Sequence, residues 1–175
     1  MGYAVELVLD KADAEPIQRL FELTNSIMLE LEAEPHVSLA VFEEVDTARL
    51  FSLVDDFAKE RQPLNLRFSS IGVFPGEENV VFLAPVVTEE LLRLHADFYD
   101  RLGAAGLKCD PYYQPGAWVP HCTITMNEPL SESLEAITKI HDQEALGEYM
   151  VSEIRVIEFK PVVNLASFHF PIGIA

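Results

Sequence analysis

A chain of 175 residues, 49% of them hydrophobic, is long enough to bury a real core, roughly 70% of its unfolded surface, and too apolar to be disordered. Twelve Lys and Arg stand against 29 Asp and Glu, a net charge of −17. That balance argues against long RNA or DNA, which is bound by clustered cations, because Arg67, Arg93, Lys108 and Arg155 are scattered. A substrate that carries phosphate is expected to be small. No apolar run approaches the ~20 residues of a bilayer span, and the opening MGYAVELVLDKAD does not read as a signal peptide. Cys109 and Cys122 form neither a CxxC pair nor a disulfide framework, so a reducing cytoplasm is the expected setting.

In chain order, Tyr3 to Leu9 reads as a strand. A helix is expected next, with Asp13 as N-cap, Pro16 in its first turn, and Ile17, Leu20, Phe21, Thr24, Ile27 and Met28 on one buried stripe. His36 to Phe42 is a second strand. Asp46 then opens a helix whose Leu50, Leu53, Val54 and Phe57 face inward. Leu64 to Phe74 and Asn79 to Val87 suggest a hairpin around the turn Pro75-Gly76-Glu77-Glu78. Thr88 caps a third helix, carrying Leu91, Leu94, Phe98 and Leu102 and ending near Gly103 and Gly106. A Pro- and Gly-rich loop, Cys109 to Val119, leads to a strand beginning at Pro120. Ser131 starts a fourth helix to about His141, and strands near Tyr149–Phe159 and Val162–Phe170 complete the chain.

The order of elements repeats. The segment from Val80 to Gly106 answers in pattern, though not in residue identity, to that from Tyr3 to Leu29. One domain spanning 1–175 is expected, with pseudo-repeats of about 1–78 and 79–175.

Two strands share an unusual grammar. Pro35-His36-Val37-Ser38-Leu39 and Pro120-His121-Cys122-Thr123-Ile124 both run proline, histidine, apolar residue, hydroxyl residue, apolar residue. Alternation along a strand puts His36 and Ser38 on one face, with Val37, Leu39 and Val41 on the other. It likewise puts His121, Thr123 and Thr125 opposite Cys122, Ile124 and Met126. Each pattern alone is weak. Two of them, 85 residues apart in equivalent places, point to a composite site with one histidine from each strand.

In these elements the whole chain resembles the 2H phosphoesterase superfamily, which includes 2′-5′ RNA ligase and cyclic phosphodiesterase relatives. The resemblance implies an α/β (α+β) fold of two pseudo-symmetric lobes, with two antiparallel sheets facing a cleft and helices outside. It maps the family's motif onto His36 with Ser38 and His121 with Thr123. It also implies cleavage of a 2′,3′-cyclic phosphate or related phosphodiester without metal or other cofactor. The residue types suit that chemistry independently. A neutral imidazole takes a proton from water while a protonated one donates to the departing oxygen, and hydroxyls donate to the non-bridging oxygens as charge builds.

The acidic composition departs from what RNA ligation needs, and a small nucleotide-like phosphodiester is the expected partner. Tyr112, Tyr113 and Trp118, in the loop before the second histidine, are candidates to stack on a base or bind phosphate, or else to close the core. Arg67 is a candidate cation for the cleft, or one half of a surface ion pair. His95, His141 and His169 read as structural or solvated. Two other readings stay open: RNA-ligase-like activity on RNA ends, and a nucleotide-binding module that keeps the cleft without turnover. No HExxH spacing suggests a metal site and no GxSxG elbow a serine hydrolase.

Overall fold

The computed structural model describes residues 2–76, 79–159 and 161–171; Glu77 and Glu78 of the expected Pro75–Glu78 turn lie outside them. The alternating stretches form β1 (Gly2–Leu9), β2 (His36–Phe42), β3 (Leu64–Phe74), β4 (Asn79–Pro85), β5 (Cys122–Glu128), β6 (Glu148–Phe159) and β7 (Val163–His169). All pairings are antiparallel, in the order β2-β1-β6-β3-β4-β5, with β7 also on β6. The long strand β6 makes this possible. One of its edges carries β1, while the other is shared end to end by β3, on Glu148 to Val151, and β7, on Glu153 to Glu158. Hydrogen bonding therefore runs unbroken through β3, where two separate sheets were expected.

The helices are α1 (Glu15–Thr24), α2 (Ile27–Glu30), α3 (Thr47–Lys59), α4 (Glu89–Ala104) and α5 (Leu130–His141). Asp46 and Thr88 cap α3 and α4 as expected, accepting from Arg49 N and Leu91 N at 3.1 Å each. The first helix differs from expectation at both ends. Its N-cap is Ala14, while the Asp13 carboxylate accepts from Met150 N at 3.4 Å. It stops before Met28 because Asn25 turns left-handed at φ 53°. Ser26 then caps α2 through Met28 N and donates to Ile124 O at 2.6 Å, which ties this corner to β5. The last helix begins one residue early, at Leu130, with Pro129 as its N-cap. No helix among the described residues is long and apolar enough to cross a membrane.

The helices bury one face of the sheet. Val5, Leu7, Val37, Leu39, Val81, Leu83, Cys122 and Ile124 line that core at no more than 2% exposure. Bulges disturb the expected alternation. Leu39 is extra opposite Val5 and Glu6, and Ile124 is extra opposite Val81 and Phe82. After each bulge the faces exchange, so Ala40 and Thr125 are buried while Val41 and Met126 are only partly so. Thr125, expected beside His121 and Thr123, is wholly buried and bonds to Glu128. The same irregularity thus follows both histidine strands at the same distance.

The sheet curls until its edge strands β2 and β5 touch. Trp118 Nε1 donates to Ser38 O at 3.0 Å, and Asp110 N donates to Val41 O at 2.7 Å. Register places Glu6, His36 and Ser38 on the helix-free face with Arg155 of β6, Arg67 of β3, and Gly72, Phe82 and Thr123 of the other half.

Candidate active site

Each histidine sits where its chain enters a strand, and the entry fixes its ring. His36 Nδ1 lies 2.7 Å from Glu34 O, and His121 Nδ1 lies 2.7 Å from Val119 O. A carbonyl oxygen only accepts, so both Nδ1 atoms carry hydrogen. The proton that can come and go is therefore on Nε2 in both rings. The proline before each histidine lacks an N–H and favours the extended backbone that brings the preceding carbonyl back under the ring.

Beyond this shared clamp the two environments differ. His121 stands edge-on to Phe74 and Phe82, at ring-centre distances of 4.9 and 5.3 Å. Burial there holds its pKa below the ordinary 6.5, and the charge of His36, when protonated, lowers it further, against the bond to Val119 O. His121 is thus a ring that prefers to be neutral and feels the state of the other ring. His36 instead faces a carboxylate: its Nε2 lies 3.1 Å from Oε1 of Glu6, whose side chain is 7% exposed.

A charged network stands around Glu6. Arg155, directly opposite it in register, holds Glu34 at 2.6 Å and Glu153 at 2.8 Å, while Lys11 holds the other oxygen of Glu34 at 2.8 Å. Burial pushes the Glu6 carboxyl upward; His36 and Arg155 oppose that and Glu34 adds to it. Burial also pushes Glu34 up, but the bonds from Lys11 and Arg155 outweigh it and hold that carboxyl below its usual range.

The hydroxyl residues occupy matching places, Ser38 opposite Glu6 and Thr123 opposite Phe82. The backbone of Ser38 is fixed by the Trp118 indole. Burial, with the carboxylates of Asp110 and Glu6, pushes the Tyr113 phenol up to about 12, against the influence of Ser38. The phenol is therefore neutral near pH 7.

The remaining expected contacts separate. Tyr112 is 80% exposed and points to solvent from the 3₁₀ turn Pro111–Tyr113 that Asp110 caps. Trp118 turns inward, 8% exposed, with its ring stacked on His95 at 3.9 Å. Its face is taken, so it braces Ser38 and is not available to stack on a base. Arg67 is exposed on the open face midway between the histidine strands, opposite Glu148.

Sequence reasoning missed Glu6, Phe74 and Phe82. Glu6 left a signal: it is the one charged residue between Tyr3 and Leu9. The aromatic pair left none, since phenylalanines in strands read as core.

A family model described as the 2′-5′ RNA ligase superfamily matches residues 9–161. A Bacillus licheniformis protein whose name is that of a phosphoesterase is 23% identical over 150 residues, covering 81% of this chain and 85% of its own. An RNA 2′,3′-cyclic phosphodiesterase of Archaeoglobus fulgidus is 22% identical over 162 residues, covering 89% of each. Among solved structures, E. coli LigT complexed with 3′-AMP superposes with a TM-score of 0.62 at 16% identity, over 96% of this chain and 97% of that one. This last likeness is one of fold.

Proposed function

The chain belongs to the 2′-5′ RNA ligase superfamily, and on that premise we propose that it is a metal-independent phosphoesterase acting on a 2′,3′-cyclic phosphate or related small nucleotide phosphodiester. The observation that carries this reading is the matched pair of histidines. Both rings are clamped through Nδ1 to the carbonyl two residues back, which leaves two Nε2 atoms for proton transfer. One removes a proton from the attacking water as oxygen bonds to phosphorus; the other gives a proton to the ribose oxygen as its bond to phosphorus breaks. The Ser38 and Thr123 hydroxyls donate to the non-bridging oxygens.

The relatives support the substrate class, one named as an RNA 2′,3′-cyclic phosphodiesterase and one solved with 3′-AMP. The net charge of −17 supports a small substrate over a long one. The two cysteines, which form neither a CxxC pair nor a disulfide framework, fit a cytoplasmic enzyme, and the acidic composition disfavours ligation of RNA ends.

The test is a panel of 2′,3′-cyclic nucleotides, 2′-5′ oligonucleotides and ADP-ribose cyclic phosphate, with product regiochemistry followed by phosphorus NMR. Conversion of a cyclic phosphate to a single monophosphate isomer is expected. Tight binding of the whole panel with no product would instead make the chain a nucleotide-binding module.

A further inference from the structure

We propose that Glu6 keeps a proton on the Nε2 side of His36, making Glu6 and His36 together the general acid and leaving His121 as the base. The assignment rests on the two-histidine reading above and follows from counting hydrogens. His36 Nδ1 already carries one, because its neighbour is the Glu34 carbonyl. Across the 3.1 Å between Nε2 and Glu6 Oε1 there are then two arrangements with a hydrogen between the atoms. Either an imidazolium donates to a carboxylate, or a carboxylic acid donates to a neutral ring. With no proton there, a lone pair faces a carboxylate whose side chain is only 7% exposed, which is unfavourable. Both bonded arrangements keep one proton between His36 Nε2 and Glu6 Oε1, and in the first it is on Nε2, the atom that donates to the substrate. Among the described residues His121 Nε2 has no such partner: Phe74 and Phe82 flank its ring, and a bare Nε2 lone pair is what a base needs.

The position of Glu6 is specific to one half of the molecule. It stands opposite Ser38 as Phe82 stands opposite Thr123. At equivalent places beside the two histidines, one half has a carboxylate and the other an aromatic ring. The other titratable or charged groups around Glu6 are Arg155 from β6, Glu34 before β2, Tyr113 after α4 and Cys122 of β5. Of these, Arg155 is held by Glu34 and Glu153 rather than committed to Glu6.

The step balances. Water oxygen bonds to phosphorus and its proton goes to His121 Nε2. The bond from phosphorus to the leaving ribose oxygen breaks, and that oxygen takes the proton from His36 Nε2. A separation of 3.1 Å is long for a charge-assisted bond, so this hydrogen can be shared with an arriving oxygen. After product leaves, His121 loses a proton to solvent and the Glu6–His36 pair regains one.

Two measurements on the full chain decide the matter. A nitrogen-15 spectrum of the wild-type imidazoles at pH 7 should show His36 Nε2 protonated or hydrogen-bonded and His121 Nε2 as a bare lone pair. The reverse pattern, or two alike, overturns the assignment whether or not the protein turns over. Second, Glu6→Gln leaves an amide that can satisfy a neutral ring without a transferable proton. It should lower kcat on a 2′,3′-cyclic nucleotide by about tenfold or more with little change in KM. It should also move the high-pH limb of the rate profile to lower pH. With a nucleoside p-nitrophenyl phosphate, whose leaving group needs no proton, the loss should nearly vanish. An unchanged profile, or equal losses on both esters, would make Glu6 merely structural. An inactive wild-type protein would remove the functional reading and the acid role with it.

Discussion

At the scale of single residues, the two histidines are chemically unequal although their backbone clamps are alike. A general base works only when neutral, so its activity rises with pH through its own pKa. Burial against Phe74 and Phe82 holds that value for His121 below 6.5. The rising limb of kcat/KM against pH should therefore lie below 6.5 for a cyclic nucleotide. Phe82→Ala, by letting water reach the ring, should move that limb up toward 6.5. A limb already at 6.5 or above in the wild-type enzyme would remove His121 from the role of base. That asymmetry was invisible in the two Pro-His motifs, which follow one pattern of residue types. It arises from what β1 and β4 place beside them, Glu6 in one case and Phe82 in the other, and such cross-strand neighbours are set by register.

At the scale of elements, the pairing of β3 with β4 supports the site from below. Gly72 lies opposite Phe82, and a Cβ there would run into the far edge of the Phe82 ring. That ring is not free to swing, being packed on Phe74 at 4.3 Å and on His121 at 5.3 Å. Gly72→Ala should cost about 1–3 kcal/mol of stability and lower turnover by disturbing His121; an unaltered melting temperature and rate would show that the aromatic cluster yields freely. The support on the other side is the stack of His95 on Trp118. Burial holds the His95 pKa below 6.5. Its contribution to stability is therefore present above 6.5 and is lost as pH falls from there through the folded value. His95→Phe should flatten that part of the curve of melting temperature against pH, whereas an identical slope would place the linkage elsewhere. Most of these elements were legible locally: the caps Asp46 and Thr88, the stripe Leu91-Leu94-Phe98-Leu102 and the bounds of β2 follow from spacing alone. The break at Asn25 was not, because Ile27 and Met28 keep helical spacing while Ser26 answers to Ile124, 98 residues away. Nor were the bulges at Leu39 and Ile124, which depend on partner strands.

At the scale of the whole molecule, the curled sheet and the charge act together. Curling brings the two edge strands, and with them the two motifs, into one place, while a net −17 surrounds that place. We read the matched bulges as the mark of two copies of one strand–helix–strand unit, about 1–78 and 79–175. Mononucleotide or dinucleotide substrates should be turned over faster than long RNA, whose many phosphates must approach an acidic body. Tight, steeply salt-dependent binding of long RNA would mean that cations gather on the surface in a way the sequence does not suggest. The central claim is that two imidazoles, with no metal, move the protons of a phosphoester cleavage. Its most direct test is turnover of a 2′,3′-cyclic nucleotide in excess EDTA by the wild type, His36→Ala, His121→Ala and the double variant. The account predicts full wild-type activity, a loss of ~100-fold or more in each single variant, and a double variant far better than the product of the two losses. Loss of activity with chelator alone, or full activity in either single variant, would contradict it.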